Sequence, residues 1–224
     1  MATRSPLSRE AVLASAVALA DAEGLDAVTM RALAARLGVE AMSLYHHVRN
    51  KDAILAGIIE RVLVEMTDAV ANLGLASPTT DWRADLRATI LAARGVLLRH
   101  PWAPALVEAR GSLSPHVVTH YEHVLRLMRE GGFTWDLAHR ALHALGSRAL
   151  GFSQEIFTPD AAAGADDVPD LPPDAFPHLA GMLADAAHGV DDPTLGWCDA
   201  QQEFEFAVDL LLDGLERLRV AEAG

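Results

Sequence analysis

Two short helical segments joined by one glycine constrain the fold of this chain more than any other feature. Thr29 is a favourable N-cap for a helix over residues 30–37, and Gly38 ends that helix. The other short helix of the pair, which is the third helix of the chain, is predicted over residues 41–47. Such a pair allows one helix to lie in the major groove of DNA while the other braces it. Helical bundles that never bind DNA also contain short helices joined by glycine, so spacing alone leaves both interpretations open.

The rest of the sequence also has the pattern of helices. Gly, Pro and capping residues recur at helical spacing, and the alternation typical of strands is absent. Residues 72–80 are predicted to be a linker, and the acidic, Pro- and Ala-rich residues 158–177 a loop. The fold class is therefore all-α. Further helices are expected at residues 9–23, 51–66, 81–99, 102–109, 115–131, 134–157, 177–188 and 195–220.

The charges are distributed unevenly. The chain has a net charge of −13, yet residues 1–61 contain seven basic and seven acidic residues and are neutral. Between positions 29 and 51, Glu40 is the single acid, against Arg31, Arg36, Arg49 and Lys51, which is the only lysine in the chain. A locally basic tip on an acidic body can dock on phosphates, while the acidic body orients the approach.

The sequence predicts a soluble, cytoplasmic protein with no membrane partner. Cys198 is the only cysteine, which rules out an internal disulfide and fits a reducing compartment. The first residues lack the apolar segment of a signal peptide, and the apolar run at residues 11–20 is too short to cross a bilayer.

Residues 8–66 closely resemble the DNA-binding domain of the tetracycline-repressor (TetR) family. The match is strongest over residues 37–52, Leu-Gly-Val-Glu-Ala-Met-Ser-Leu-Tyr-His-His-Val-Arg-Asn-Lys-Asp. The resemblance is weaker further along, through Gly132 and Phe133. It implies a homodimeric repressor that binds palindromic operator DNA and is released by a small-molecule inducer. The implied domains are an N-terminal three-helix helix-turn-helix domain at 1–52, a connecting helix and linker at 53–80, and a larger helical ligand-binding and dimerisation domain at 81–224.

The resemblance also implies which side chains contact DNA. Lys51 corresponds to a phosphate-binding lysine at the start of the fourth helix, where the helix dipole adds to its charge. Ala41 and Met42 cannot form a bidentate hydrogen bond to a base, so we expect them to contact thymine methyl groups. Tyr45 as a core aromatic and His46 and His47 as plain solvated surface remain open alternatives. The full set is Thr29, Arg31, Ala41, Met42, Ser43, Tyr45, His46, His47 and Lys51.

Two later helices have apolar residues at alternating spacings of four and three. Such narrow stripes favour near-parallel helix packing. They could simply fill the core of one chain, but a palindromic operator requires a two-fold protein, so we predict that they pair with their symmetry mates. The predicted dimer interface comprises Leu142, Leu145, Ala149, Val208, Leu211 and Leu215.

The effector pocket is predicted among the helices at 81–99, 102–109, 115–131 and 134–157. Residues 107–112 contain no histidine where the tetracycline repressors hold their chelated magnesium, so we do not expect tetracycline as the ligand. Residues of these types are more often plain core than ligand contacts, so the core alternative stays open for each. The predicted lining is Leu86, Ile90, Trp102, Val107, Tyr121, Leu125, Met128, His143 and Phe152.

An enzyme is the first rival class of protein. No nucleophile motif, phosphate-binding glycine loop or convincing acid pair is present, so we predict no catalytic residues, no cofactor and no enzyme activity. His139 and His143, and likewise the face carrying His116, His120 and His123, have spacings that can chelate zinc or nickel. Nothing in the sequence shows that the helix at 115–131 places its histidines beside those of the helix at 134–157, so we predict no metal site. An architectural DNA-binding protein without a ligand is the second rival.

Overall fold

A computed structural model describes residues 7–110, 114–150, 174–178, 181 and 200–223. The described residues contain helices and turns and no strand, which confirms the all-α prediction. The predicted helix at 177–188 and the predicted loop at 158–177 lie almost wholly outside these ranges. None of the helices within them is long and apolar enough to cross a membrane.

Four helices make up the N-terminal part of the chain. They are α1 (Arg9–Glu23), α2 (Met30–Leu37), α3 (Ala41–Leu44) and α4 (Lys51–Ala71), and one turn of 3-10 helix (Leu25–Ala27) follows α1. The side chain of Ser8 caps α1 by accepting a hydrogen bond from the backbone N–H of Ala11 at 3.1 Å. The start and end of α1 and α2 confirm the sequence-based prediction.

Two of the predicted helix ends were wrong. α3 ends at Leu44 rather than at residue 47, because the backbone N–H groups of His47 and Val48 both donate to the carbonyl oxygen of Leu44 at 2.9 Å and close a turn. α4 continues to Ala71 rather than stopping at residue 66. The additional turn keeps Val70 buried in line with Met66, which favours continuing the helix.

The remaining helices are α5 (Trp82–Arg99), α6 (Ala103–Arg110), α7 (Pro115–Glu130), α8 (Trp135–Leu150) and α9 (Ala200–Ala223). α5, α6 and α7 agree with the predicted positions within one residue. The predicted continuation of α8 to residue 157 and the predicted start of the last helix at residue 195 lie outside the described residues.

The chain divides into two compact units, Met1–Ala138 and His139–Gly224. In the first unit α4 packs against α1 as well as against α5, α6 and α7. This division therefore lies further along the chain than the functional boundary expected at residue 80. In the second unit α9 buries Phe204, Val208, Leu212 and Leu215.

Gly57 allows α1 and α4 to approach closely. A Cβ atom at Gly57 would lie 2.5 Å from Cδ2 of Leu13, which is itself only 2% exposed. Leu13 therefore fills the space that any larger residue at position 57 would need. The same core contains the fully buried Ile58 and continues to Leu97 and Trp102.

We predict opposite effects for alanine at two helical glycines. Gly57→Ala should lower the free energy of unfolding by about 1–3 kcal/mol, because it overpacks a filled core. Gly95→Ala should instead raise it by roughly 0.5–1 kcal/mol, the usual gain from replacing glycine inside a helix. Apart from the two adjoining residues and the nearby backbone of α5 itself, no described atom lies within 4 Å of a Cβ built at Gly95. Urea unfolding followed by circular dichroism measures both, and equal shifts would contradict the close approach of α1 and α4.

Candidate nucleic-acid interface

The turn between α2 and α3 is fixed by backbone hydrogen bonds. Thr29 Oγ1 starts α2 by accepting from the backbone N–H of Ala32 at 3.1 Å. Gly38 ends it with φ +64°, in the left-handed region that favours glycine. The following Val39 N–H then donates back to the carbonyl oxygen of Ala34 at 3.0 Å. These bonds set the direction in which α3 leaves the turn.

Buried apolar residues hold α3 in place. Leu33 of α2 and Leu44 of α3 are both fully buried, and Val48 just after α3 is 3% exposed. The opposite surface of α3 is open: Met42 is 71% exposed and Tyr45 is 47% exposed. The exposure of Tyr45 is evidence against the alternative that it is a core aromatic.

The remaining predicted DNA contacts lie on the same small domain. Thr29, Arg31, His46 and Lys51 are exposed, and Ala41, Ser43 and His47 are half-buried. α4 begins directly after this surface, where Asn50 Oδ1 accepts from the backbone N–H of Ala53 at 2.8 Å. Lys51 Nζ lies 3.5 Å from the carbonyl oxygen of Leu25, in the turn after α1. A lysine at the positive end of a helix is well placed to bind a phosphate.

The predicted pocket residues lie in different environments. Leu86, Ile90, Trp102 and Met128 are buried, Val107 and Leu125 are half-buried, and Tyr121 and His143 are exposed. Phe152 lies outside the described residues. The indole N–H of Trp102 donates to Asp21 Oδ1 at 2.7 Å, so this side chain reaches α1 of the DNA-binding region.

The residues predicted for the dimer interface also differ in burial. Leu145, Val208 and Leu215 are buried, Leu142 and Leu211 are half-buried, and the side chain of Ala149 is outside the description. Four other apolar residues of α9 are exposed and were not among the predicted interface residues. They are Phe206, Leu210, Leu218 and Val220. Leu218 continues the stripe with alternating spacings of four and three, whereas Phe206, Leu210 and Val220 lie outside it, so a search for periodicity did not select these three.

Sequence reasoning also missed a polar cluster that connects α1 and α4 to the turn between α5 and α6. His100, which is 7% exposed, places Nδ1 2.8 Å from Asp21 Oδ1 and Nε2 3.1 Å from Glu65 Oε2. Glu65 also accepts from Arg99, and this hydrogen bond is the main cause of the lowered pKa of the Glu65 carboxyl group. We call Asp21, Glu65, His100 and Trp102 the polar joint. It joins three separate parts of the sequence, at Asp21, at Glu65 and at residues 100–102, so no local pattern could have revealed it.

A helix-turn-helix with an exposed second helix, followed by a larger helical part, defines a DNA-binding transcriptional regulator. Residues 12–58 match the family model described as bacterial regulatory proteins, tetR family. Residues 75–219 match the model described as tetracyclin repressor-like, C-terminal domain. The chain belongs to this family, and it is a ligand-responsive repressor. Both the predicted family and the predicted class of function are confirmed.

Individual relatives agree with this assignment. The chain is 30% identical to the HTH-type transcriptional repressor DrrR1 of Streptomyces coeruleorubidus, over 97% of this chain and 80% of that protein. It is 29% identical to the class D tetracycline repressor protein of Escherichia coli, over 94% and 89% of the two chains. Apo ActR from Streptomyces coelicolor has a similar structure, with a TM-score of 0.69, 26% identity and coverage of 99% and 100%. ActR has also been solved in complex with actinorhodin.

Proposed function

We propose that this protein binds palindromic operator DNA as a homodimer through the exposed surface of α3 and leaves the DNA when a small molecule binds. The observation that carries the proposal is the placement of α3, which buried Leu44 fixes while Met42 and Tyr45 stay exposed. Lys51 lies on the same small domain, at the start of α4. The protein acts in the cytoplasm by binding alone, without catalytic residues.

The roles proposed for the DNA contacts follow from exposure and chemistry. Lys51, Arg31 and Thr29 bind the phosphate backbone, which supplies affinity for any sequence. Tyr45, His46 and His47 add polar contacts at the end of α3. Met42, Ala41 and Ser43 lie nearest to the bases, where Met42 contacts thymine methyl groups and the Ser43 hydroxyl group can donate or accept a hydrogen bond.

A second copy of the chain covers the exposed apolar side of α9. Phe206 is 62% exposed and Leu210 is 55% exposed, whereas Val208 and Leu215 are already buried within one chain. We therefore assign Phe206, Leu210 and half-buried Leu211 to the contact between copies. Exposed apolar residues grouped on one helix commonly indicate such a contact.

The ligand binds in the larger helical part, residues 81–224, near the buried apolar residues of α5 and α7. Leu86 and Ile90 on α5 and Met128 on α7 supply the apolar surface that small-molecule sites require. The complex of ActR with actinorhodin supports the proposal of a small-molecule effector for this chain.

Two helices can carry the effect of the ligand to the DNA-binding region. α4 is covalently continuous with that region and packs against α5, α6 and α7. α6 reaches the same region at both of its ends. Trp102, just before α6, bonds to Asp21 of α1, and Arg110, its last residue, donates to the backbone carbonyl oxygen of Asp52 at 3.0 Å. A shift of α6 would therefore move both α1 and the first turn of α4.

The required energy is modest. The α3 helices of the two copies in a dimer must lie about one turn of DNA apart, roughly 34–36 Å, to enter successive major grooves. A ligand shifts the equilibrium between this spacing and another one only by the difference between its binding free energies for the two arrangements. About 3 kcal/mol of coupling gives a roughly 150-fold release of DNA, and the DNA must weaken ligand binding by the same factor.

We expect Lys51→Ala and Ser43→Ala to affect DNA binding differently. Lys51→Ala should weaken binding to operator and random duplex alike and make the dependence of affinity on salt less steep, because a phosphate contact is lost. Ser43→Ala should mainly change the preference among operator sequences. Fluorescence anisotropy at several salt concentrations measures both. Equal affinity of the wild type for operator and random duplex would overturn the specific repressor.

Glutamate at exposed positions of α9 should dissociate the dimer. Phe206→Glu and Leu210→Glu would each place a charge in an apolar contact without a partner, so light scattering at micromolar concentration should report a monomer. Val118→Glu is the matched control, because Val118 is 50% exposed on α7. Leu215 is unsuitable for this test, since it is buried within one chain. A wild-type monomer, or a Phe206→Glu variant that stays dimeric, would contradict the assignment.

The polar joint should be measurable as a coupling energy. Trp102→Phe removes the indole N–H that Asp21 accepts, and we expect it to cost about 1 kcal/mol of unfolding free energy, since Asp21 remains partly exposed to water. Asp21→Asn should cost a similar amount, and the double variant less than the sum. We also expect weaker operator binding. Trp135→Phe, at a 67% exposed position, is the control. Strictly additive losses would refute the joint.

A further inference from the structure

The inward side of α7 changes from apolar to polar along its length. Val124, Leu127 and Met128 are buried in the second half of the helix. The same stripe, continued toward the start of the helix, contains His116, His120 and His123 instead of further apolar residues. We call these three the histidine row. A packed core would favour leucine at such positions, so the row needs a separate explanation.

The outer two histidines of the row have hydrogen-bond partners on neighbouring helices. His116 Nδ1 lies 3.4 Å from Thr67 Oγ1 of α4, and His123 Nε2 lies 3.2 Å from Thr89 Oγ1 of α5. Both hydroxyl groups already donate to the carbonyl oxygen four residues earlier, that of Leu63 at 2.8 Å and that of Asp85 at 2.9 Å. Each hydroxyl oxygen therefore accepts from the imidazole N–H that faces it.

His120 lies between these two pairs and has no such partner. Its Nδ1 atom is buried, and no described residue offers it a hydrogen bond. Burial, with a smaller contribution from the neighbouring His123, lowers the pKa of His120. The imidazole is therefore neutral at pH 7. A buried polar nitrogen without a partner destabilises a folded protein, so a bound molecule that supplies this hydrogen bond would stabilise it.

We propose that His120 Nδ1 binds a hydroxyl group on the apolar body of a neutral effector, in the ligand site of the proposed function. A hydroxyl group both donates and accepts, so it fits either tautomer of the imidazole. A carboxylate fits poorly, because the negative charges of Glu60 and Asp85 are close to the row. Glu60 Oε1 lies 3.4 Å from His116 Nε2, and Asp85 interacts electrostatically with His123.

Buried apolar residues of two helices lie beside the row, where the apolar body of the effector would pack. Thr89, which His123 contacts, is fully buried on α5 between Leu86 and Ile90. On α7 the row is followed directly by Val124, Leu127 and Met128. The site thus has a polar end at His120 and apolar neighbours on both helices, which is the usual composition of a small-molecule site.

Three probes of the same shape test the proposal by calorimetric titration of the full chain. They are 2-naphthol, naphthalene, which lacks the hydroxyl group and so can neither donate nor accept, and 2-naphthoate, which carries a negative charge. We expect 2-naphthol to bind about tenfold more tightly than naphthalene, the value of one hydrogen bond to an otherwise unpaired group, and naphthoate to bind most weakly. Equal affinity for 2-naphthol and naphthalene, or no binding of 2-naphthol, overturns the proposal.

Two leucine variants on α7 separate a binding role from a structural one. His120→Leu should abolish the preference for 2-naphthol and raise the melting temperature, because leucine extends the apolar stripe and removes the unpaired nitrogen. Glu122→Leu, on the exposed side of the same helix, should leave the preference unchanged. A His120→Leu variant that melts lower and keeps the preference would assign His120 to the core and overturn the proposal.

Operator release is measured separately by anisotropy. A preference for 2-naphthol that depends on His120, without any effect of 2-naphthol on operator binding, supports the site and contradicts its role in induction. Operator release that is the same in wild type and His120→Leu supports induction and overturns the assignment of His120.

Discussion

The close packing of α1 on α4 underlies the rest of the structure. Leu13 occupies the space above Gly57, and the buried side of α4 continues from there to the contacts with α5, α6 and α7. One helix thus belongs to the core of the DNA-binding region and to the core of the larger helical part. Because well-packed cores resist compression, a displacement at one end of α4 is transmitted rather than absorbed. The position of α3 relative to the proposed ligand site therefore depends on this contact.

The polar joint complements this apolar contact. Apolar packing is non-directional and tolerates small sliding, whereas hydrogen bonds from Trp102 and His100 to carboxylate oxygens depend on angle and distance. The joint therefore specifies one orientation of α1 against the α5–α6 turn. Its partly exposed carboxylates keep the energy of each bond moderate. A contact that is specific in geometry and moderate in strength is well suited to a protein that must change between two arrangements.

Local features of the sequence predicted most of the fold. Thr29, Gly38 and Asn50 act on the backbone within four residues, so their effects on helix starts and ends could be read directly. The end of α4 could not, because tertiary burial of Val70 continues that helix. The DNA-contact set came from a long motif with a family resemblance, and the structure adds the exposure of Met42 and Tyr45. The polar joint needed three-dimensional information, since Asp21 and His100 are 79 positions apart. The spacing of the histidine row could be read from the sequence. The sequence could not show that the row faces Thr67 of α4 and Thr89 of α5.

The position of Lys51 has a chemical consequence. It is the only lysine among 224 residues, and its ammonium group is exposed beside the turn that follows α1. Arginine, which supplies the other seventeen basic side chains, does not react with acylating agents under mild conditions. Amine-directed acylation of the side chains therefore falls on one position, at the start of α4. Acylation of Lys51 would remove the only side-chain ammonium group of the surface at the start of α4. The rate at which the Lys51 amine reacts would show whether a bound partner covers that surface.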